Sequence, residues 1–171
     1  MKISTIRHFL LWVVLLTLTL AAPCRAQSLQ LSKTLDHSKL HLYLSNFTHH
    51  YTANENHKTV QTVGLEREFD DGKIDGLALF TNSFGQPSMY LYPWGKVYKN
   101  IGGINHVFVK WTAGLLYGYV EPYENKVPFN YRGFSPGAIL ALGYEFKPGW
   151  SAQINALGTA AMMIQLNISL N

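Results

Sequence analysis

The sequence predicts an all-β protein, an eight-stranded antiparallel transmembrane β-barrel, and three observations lead to this fold class. The chain is 47% hydrophobic and only 14% charged, whereas soluble domains carry about 25% charged residues. Beyond the N-terminal segment, no apolar run approaches the ~20 residues of a transmembrane helix. Short segments of alternating apolar and polar residues fill the remainder. Lipid admits only helices and closed barrels, because every backbone group must be paired internally.

The N-terminus has the three-part layout of a secretory signal peptide. Lys2 and Arg7 give a positive start, and residues 9–22 form an uncharged, mostly apolar run. Small residues then precede a predicted cleavage point after Ala26. We therefore expect residues 1–26 to be removed during export and the protein to reach the bacterial outer membrane.

Cleavage would remove Cys24, the only cysteine, so disulfides, thiolate metal sites and a cysteine nucleophile are excluded from the exported chain. It would also remove three basic residues, so the basic balance owes much to the signal peptide and nucleic-acid binding is not expected. Residues 27–38 are expected to form a periplasmic segment, either a short amphipathic helix or the start of a strand. Residues 39–171 are expected to form the barrel domain.

Alternation with a period of two residues defines the strands. In residues 161–170 every even-numbered position is Met, Ile or Leu, while Gln165, Asn167 and Ser169 share the other face. Such alternation is typical of strands with one face toward lipid and one toward the lumen. The predicted strands are residues 39–48, 59–69, 73–82, 88–98, 106–120, 131–146, 150–157 and 161–170.

The connections alternate in length. Residues 70–73, Asp-Asp-Gly-Lys, form a tight hairpin turn, and Gly-Gly and Pro-Gly pairs mark two further short turns. Longer polar connections occupy residues 51–58, 84–87 and 121–130. Short turns at one rim and long loops at the other are typical of outer-membrane barrels. A soluble lipocalin-like barrel or a β-sandwich is the alternative fold, and the lack of a C-terminal aromatic residue favours it.

Polar residues with catalytic potential gather at the predicted long-loop rim. His49 and His50 end the first strand, and Asn82 and Ser83 end the third. Both strands run in the same direction, so their ends meet one rim. A histidine that moves a proton and a serine that acts as nucleophile or oxyanion donor can together perform acyl transfer. Solvated loop residues are the alternative interpretation of this pattern.

Two regions resemble the PagP family of outer-membrane lipid A palmitoyltransferases. Residues 63–84 contain Val-Gly-Leu, the charged turn Asp-Asp-Gly-Lys and the rising strand Gly-Leu-Ala-Leu-Phe-Thr-Asn-Ser-Phe, similar to the family's second hairpin. Residues 136–144, from Pro136 to Leu-Ala-Leu-Gly-Tyr, resemble the family's Pro-Leu-Ala-Ser-Val-Gly-Tyr strand.

The resemblance implies a catalytic histidine near the top of the first strand and an Asp-Ser pair at the top of the third. The serine falls on Ser83 and the acid on Asn82, a departure, because an amide cannot act as a base or carry negative charge. We expect His50 to be the histidine, with His49 as second choice. His41 fits a gap-free alignment but lies toward the opposite rim. His50 faces inward only if a bulge or the loop reorients it.

The resemblance also implies the reaction, in which a palmitoyl chain moves from a glycerophospholipid to lipid A. Its partners are therefore these two lipids, and a monomer without metal or cofactor is expected. Pro128 and Pro136 are candidate gate positions for lipid entry, since proline loosens strand pairing. Lys126 and Arg132 are candidate contacts for lipid phosphates. Candidate residues that measure chain length, of which half must face lipid, are Leu77, Leu79, Met89, Leu115 and Met163.

Two further functions remain open from the sequence. One is a lipid A deacylase or phospholipase on the same barrel, in which water accepts the acyl group. The other is a non-enzymatic barrel whose loops bind partners, which Asn82 in place of an acid favours.

Overall fold

A computed structural model describes residues 37–52 and 55–171, and Ser38–Asn171 form one compact unit. The unit is a closed barrel in which each of eight antiparallel strands pairs with the next and β8 pairs with β1, which confirms the predicted fold class. The predicted signal peptide and all but the last two residues of the predicted periplasmic segment lie outside the described residues. The strands are β1 (Ser38–His50), β2 (Thr62–Phe69), β3 (Ile74–Thr81), β4 (Pro87–Lys99), β5 (Val107–Tyr117), β6 (Phe134–Lys147), β7 (Trp150–Leu157) and β8 (Ala161–Ser169).

The connections divide between the two ends of the barrel. The turns after β2, β4 and β6 share one end with the start of β1, and we call this the turn end. The other end, the loop end, carries residues 51–52, 55–61, 82–86, 118–133 and the short connection 158–160. In the turn after β2, Gly72 adopts a φ of 79° and donates a backbone hydrogen bond to Phe69, as the predicted tight hairpin requires. Within the described residues, no helix has the length and apolar character to cross a membrane.

The two faces of the barrel wall differ sharply in chemistry. Apolar side chains alternate onto the outside, where a broad belt of them is exposed. The most exposed leucines, isoleucines and valine of this belt are Leu44, Val63, Leu65, Leu77, Leu79, Leu91, Leu115, Leu140, Leu142, Ile154 and Ile164. Many buried residues inside the barrel are polar. They include Ser45, Thr62, Glu66, Ser88, Lys110, Thr112, Gln153, Asn155, Gln165 and Asn167.

Ion pairing and hydrogen bonds satisfy this polar interior. The Lys110 ammonium on β5 donates to both carboxylate oxygens of Glu66 on β2, at 2.8 and 2.9 Å. The Tyr92 hydroxyl donates to the same carboxylate at 3.1 Å. Four amide side chains on β7 and β8 donate to one another in a closed ring, in the order Gln153, Asn155, Gln165, Asn167 and back to Gln153. Interior side chains thus occupy most of the middle of the barrel, as eight strands normally permit.

A β-bulge in β1 changes which residues face inward. Leu44 pairs with Leu166 and Phe47 with Ile164, so two β1 residues lie opposite one residue of β8. Before the bulge the odd-numbered residues Tyr43 and Ser45 are buried, and after it Phe47 is exposed. The bulge therefore reverses the alternation and turns even-numbered residues toward the interior at the loop end.

Two strands extend beyond their pairing partners at the loop end. The last pair between β1 and β2 joins Ser45 and Thr62, so residues 46–50 have no partner in β2. The pairing of β6 with β7 begins at Leu140, so residues 134–139 have no partner in β7. The strand pairing is thus incomplete at two places beside the loop end.

Candidate active site

His50 and Ser83 meet at the loop end. His50 is the last residue of β1, and Ser83 follows the end of β3. The Nε2 atom of His50 lies 2.6 Å from the Oγ atom of Ser83. The bulge in β1 brings the ring to the inner side, as the sequence argument for His50 required. Ser83 itself is 9% exposed, so the contact is shielded from bulk water.

Asn82 adjoins this contact but has a different task. Its side-chain oxygen accepts the backbone N–H groups of Phe84 and Gln86, each at 3.0 Å. Its side-chain nitrogen donates to the Gly118 carbonyl at 3.0 Å and to the Gln86 amide oxygen at 3.1 Å. All four hydrogen-bonding positions of the amide are therefore used. Asn82 shapes the turn that presents Ser83, and no hydrogen bond joins it to His50.

The backbone of the turn holds Ser83 in place as well. The Gly85 N–H donates to the Asn82 carbonyl at 2.8 Å, which closes the turn around Ser83, and Gly85 adopts a φ of 83°. The Lys58 N–H donates to the Ser83 carbonyl at 2.8 Å. The serine is thus attached both to its own hairpin and to the connection after β1.

Aromatic rings enclose the His50–Ser83 contact. The rings of His50 and His57 lie 4.0 Å apart between centroids, and His57 meets Phe84 edge-on at 5.6 Å. Phe84 stacks on Tyr123 at 4.1 Å. His57 is not among the site residues predicted from the sequence, and its position is an addition from the structure. The described residues thus form a compact wall that limits water at the serine.

Tyr119 is a second group at the serine that the sequence did not single out as a site residue. Its hydroxyl lies close to the side chain and the backbone of Ser83. Burial raises the pKa of Tyr119, so its hydroxyl stays protonated at neutral pH and is able to donate. Tyr119 lies just beyond β5, and no local pattern in the sequence indicates that this loop reaches the end of the third strand.

The other predicted histidines lie elsewhere. The bulge leaves His49 exposed, so the inward register expected for this second choice is wrong. His41 pairs with Glu66 on β2 and lines a cavity at the turn end. Its position agrees with the expectation that it lies toward the opposite rim.

The residues predicted to measure chain length separate between the two faces. Met163 faces the interior, whereas Leu77, Leu79 and Leu115 are exposed on the outside. Met89 lies between two buried positions of β4 and so also faces outward. The interior cavity that Met163 lines has a volume of about 50 Å³, far below the ~300–1,000 Å³ of typical ligand sites.

The residues predicted to form a lipid gate and to contact lipid phosphates do not all lie near the His50–Ser83 contact. Pro136 lies within a continuous β5–β6 ladder opposite Leu115, but its other edge belongs to the stretch of β6 without a β7 partner. The Pro128 carbonyl accepts a hydrogen bond from Ser135. Lys126 lies over the Phe84 ring at 5.9 Å, whereas Arg132 lies over Tyr131 at 5.4 Å.

The site brings together three groups that can take part in a reaction. They are His50 Nε2 as proton acceptor, the hydroxyl of Ser83, and the hydroxyl of Tyr119 as a hydrogen-bond donor. With the proton of the imidazole on Nδ1, Nε2 accepts the hydroxyl proton of Ser83. The described residues contain no group of three or more His, Cys, Asp and Glu able to hold a metal ion. No family model matches this chain, and a search of curated proteins finds no match.

Proposed function

We propose that the protein is an outer-membrane acyltransferase that moves a palmitoyl chain from a glycerophospholipid to lipid A. The single observation that carries the proposal is the 2.6 Å contact between His50 Nε2 and Ser83 Oγ. It provides a base within hydrogen-bond reach of a nucleophile, the arrangement that acyl transfer requires. The resemblance of residues 63–84 and 136–144 to lipid A palmitoyltransferases supports the choice of substrates.

The exposed surface supports a membrane location. The belt of leucine, isoleucine and valine side chains runs around a closed barrel whose interior is polar. An exposed apolar surface of this extent is costly in water and marks contact with an apolar environment. A closed barrel with an apolar outside and a polar inside is the pattern of outer-membrane proteins.

The chemistry has two steps if Ser83 is the nucleophile. His50 Nε2 takes the hydroxyl proton while Oγ attacks the carbonyl carbon of the donor ester, and the proton then passes to the departing glycerol oxygen. A lipid A hydroxyl next attacks the acyl-serine, giving its proton to His50, and Ser83 regains a proton as it leaves. In the one-step alternative, His50 deprotonates the acceptor hydroxyl directly and the hydroxyls of Ser83 and Tyr119 stabilise the carbonyl oxygen as charge develops.

Donor and acceptor have a route to this site through the barrel wall. The stretch of β1 without a β2 partner ends at His50 itself, and the stretch of β6 without a β7 partner covers residues 134–139. Because the central cavity measures about 50 Å³, the acyl chain remains in the surrounding lipid and only the ester group reaches Ser83. In this arrangement the barrel interior does not select chain length.

The decisive experiment is mass spectrometry of lipid A from cells that carry the protein, its Ser83→Ala variant or no copy. We expect an additional palmitoyl chain with the unaltered protein and none with Ser83→Ala. Ser88→Ala is the matched control, because Ser88 is also buried near the loop end but belongs to β4. Folding of each variant is checked by the heat-dependent shift in gel mobility that closed barrels display.

Each outcome has a distinct meaning. An acyl chain removed in a Ser83-dependent manner would replace the transferase by a deacylase, in which water is the acceptor. Unchanged lipid A in cells with folded protein in the outer membrane would refute the acyltransferase. Recovery of acyl-Ser83 by trapping during turnover would select the two-step route over the one-step route.

A further inference from the structure

A separate cavity opens at the turn end of the barrel. Its volume is about 320 Å³, within the ~300–1,000 Å³ range of small-molecule sites. Its deepest charged residues, Glu66 and Lys110, belong to the buried ion pair. The candidate active site contributes no residue to it, so its function is independent of the chemistry at Ser83.

The charges of this cavity are balanced but not all paired. Three lysines and three glutamates line it. Lys110 pairs with Glu66, and Lys99 pairs with Glu68 at 2.5 Å. Among the charged lining residues that the structure describes, one lysine and one glutamate remain without an ion pair. They are Lys39 and Glu145.

The unpaired charges have opposite signs and lie on strands of the cavity wall that are separated by two others. Lys39 lies on β1 and Glu145 on β6, with β7 and β8 between them. One oxygen of Glu145 accepts the Gly149 N–H at 3.0 Å, which leaves the second oxygen available. The intervening strands contribute Ser151 and Asn167 to the lining. A ligand along this wall therefore meets a cation, neutral polar groups and an anion in sequence.

His41 provides a second observation that indicates a ligand. Its Nε2 atom is buried and has no hydrogen-bond partner among the described residues. A carboxylate oxygen of Glu68 lies 3.5 Å away as an ion-pair contact, longer than a normal hydrogen bond. A buried polar atom without a partner is uncommon in folded proteins. His41 lines the cavity beside Lys39, two residues away on the same face of β1.

We propose that this cavity binds a small zwitterion that carries a phosphate and a primary ammonium group. The phosphate contacts Lys39 and the neighbouring imidazole of His41, which lines the same cavity. The ammonium contacts Glu145. A ligand that carries charges of both signs suits a cavity that already holds equal numbers of lysines and glutamates. Such chemistry occurs in free phosphoethanolamine and in the headgroup of a phospholipid.

The test is an NMR titration of the purified protein, with the segment before the barrel retained, in an uncharged sugar detergent. Phosphoethanolamine is the probe, and inorganic phosphate and ethanolamine are titrated separately. We expect saturable shifts of the amide signals of Lys39, Ser151 and Asn167. Lys39→Met and Glu145→Gln should each weaken binding at least tenfold. Lys73→Met, at an exposed turn of the same end, should leave binding unchanged.

A second arm separates the two sources of the ligand. Nanodiscs that contain phosphatidylethanolamine, compared with phosphatidylglycerol alone, should shift the same signals only if a lipid headgroup is the occupant. Shifts with free phosphoethanolamine but with neither nanodisc assign a soluble ligand. The proposal is overturned if no saturable shift occurs in any arm, if phosphate alone binds equally well, or if Lys39→Met and Lys73→Met behave alike.

Discussion

The Asn82 side chain donates a 3.0 Å hydrogen bond to the Gly118 carbonyl, and this bond links the serine turn to the loop between β5 and β6. Asn82 is 1% exposed. The amide occupies the position at which the resemblance to palmitoyltransferases would place an acid. Its contacts explain the amide, because two of its partners are acceptors that need a donor.

Asn82→Asp should destabilise the loop end without increasing activity. The change replaces the NH₂ donor by an acceptor that faces the Gly118 carbonyl and the Gln86 amide oxygen. Leaving buried acceptors unsatisfied costs about 1–3 kcal/mol each. The free energy of unfolding, measured by urea titration in lipid vesicles, should fall accordingly.

The pH dependence of this variant is its internal control. The deficit in stability should diminish when the pH is low enough to protonate the introduced carboxyl, because its O–H then supplies one donor. A deficit independent of pH, or a gain in acyl transfer at neutral pH, would show that Asn82 is not chiefly a turn residue.

His50→Gln should abolish acyl transfer while His49→Gln leaves it unchanged. Glutamine can hydrogen-bond to Ser83 but cannot take up its proton, and loss of a general base typically costs about 10²–10⁴-fold in rate. His49 is adjacent in sequence but exposed, so the pair is matched. Initial rates with a labelled phospholipid donor provide the comparison. Equal losses in both variants would contradict the assignment.

Tyr119→Phe should lower the rate without unfolding the site. The substitution removes one hydroxyl beside Ser83 and preserves the ring near Phe84, 6.4 Å between centroids. Losing one donor to a developing oxyanion costs up to about 10²–10³-fold. Tyr123→Phe, in the same loop, is the control. An unaltered rate for Tyr119→Phe would show that the Tyr119 hydroxyl does not take part in the reaction and that the side chain only packs.

Removing one partner of the interior ion pair should lower the free energy of unfolding far more than replacing both partners by apolar residues. The side chains of Lys110 and Glu66 are 7% and 9% exposed, and removal of one partner from such a pair costs about 3–5 kcal/mol. Glu66→Gln should show this loss in urea titration. The double variant Glu66→Leu with Lys110→Leu should recover most of it. Additive losses in the double variant would indicate that the two charges act separately.

Leu140→Arg should impair insertion, since Leu140 lies midway along β6 and is 63% exposed on the outer face. Arginine at the midplane of a bilayer costs about 2–4 kcal/mol in a membrane barrel. Phe129→Arg is the matched control, because Phe129 is 85% exposed but lies in a loop. Urea titration in vesicles compares the two. Similar stabilities would indicate that the belt does not contact lipid.

The strands were predictable because their pattern is local. Apolar residues at every second position mark the outer face of a strand, and this pattern needs only neighbouring residues. The last strand, predicted as residues 161–170, is accordingly observed as Ala161–Ser169. Turn chemistry at residues 70–73 likewise needs only neighbouring residues. The boundaries at the loop end were less accurate, since the strand predicted over 106–120 ends at Tyr117, where the chain leaves the ladder.

The sequence by itself determined that a barrel forms, which segments build its wall and that His50 and Ser83 end strands on the same rim. Only the tertiary structure decided that His50, and not His49, faces the serine. That choice depends on a bulge formed against β8, more than a hundred residues away in the chain. The contact between Asn82 and Gly118 likewise joins two connections that are distant in the chain. Side-chain contacts of this kind arise from pairing between distant strands, and no local pattern of residues encodes them.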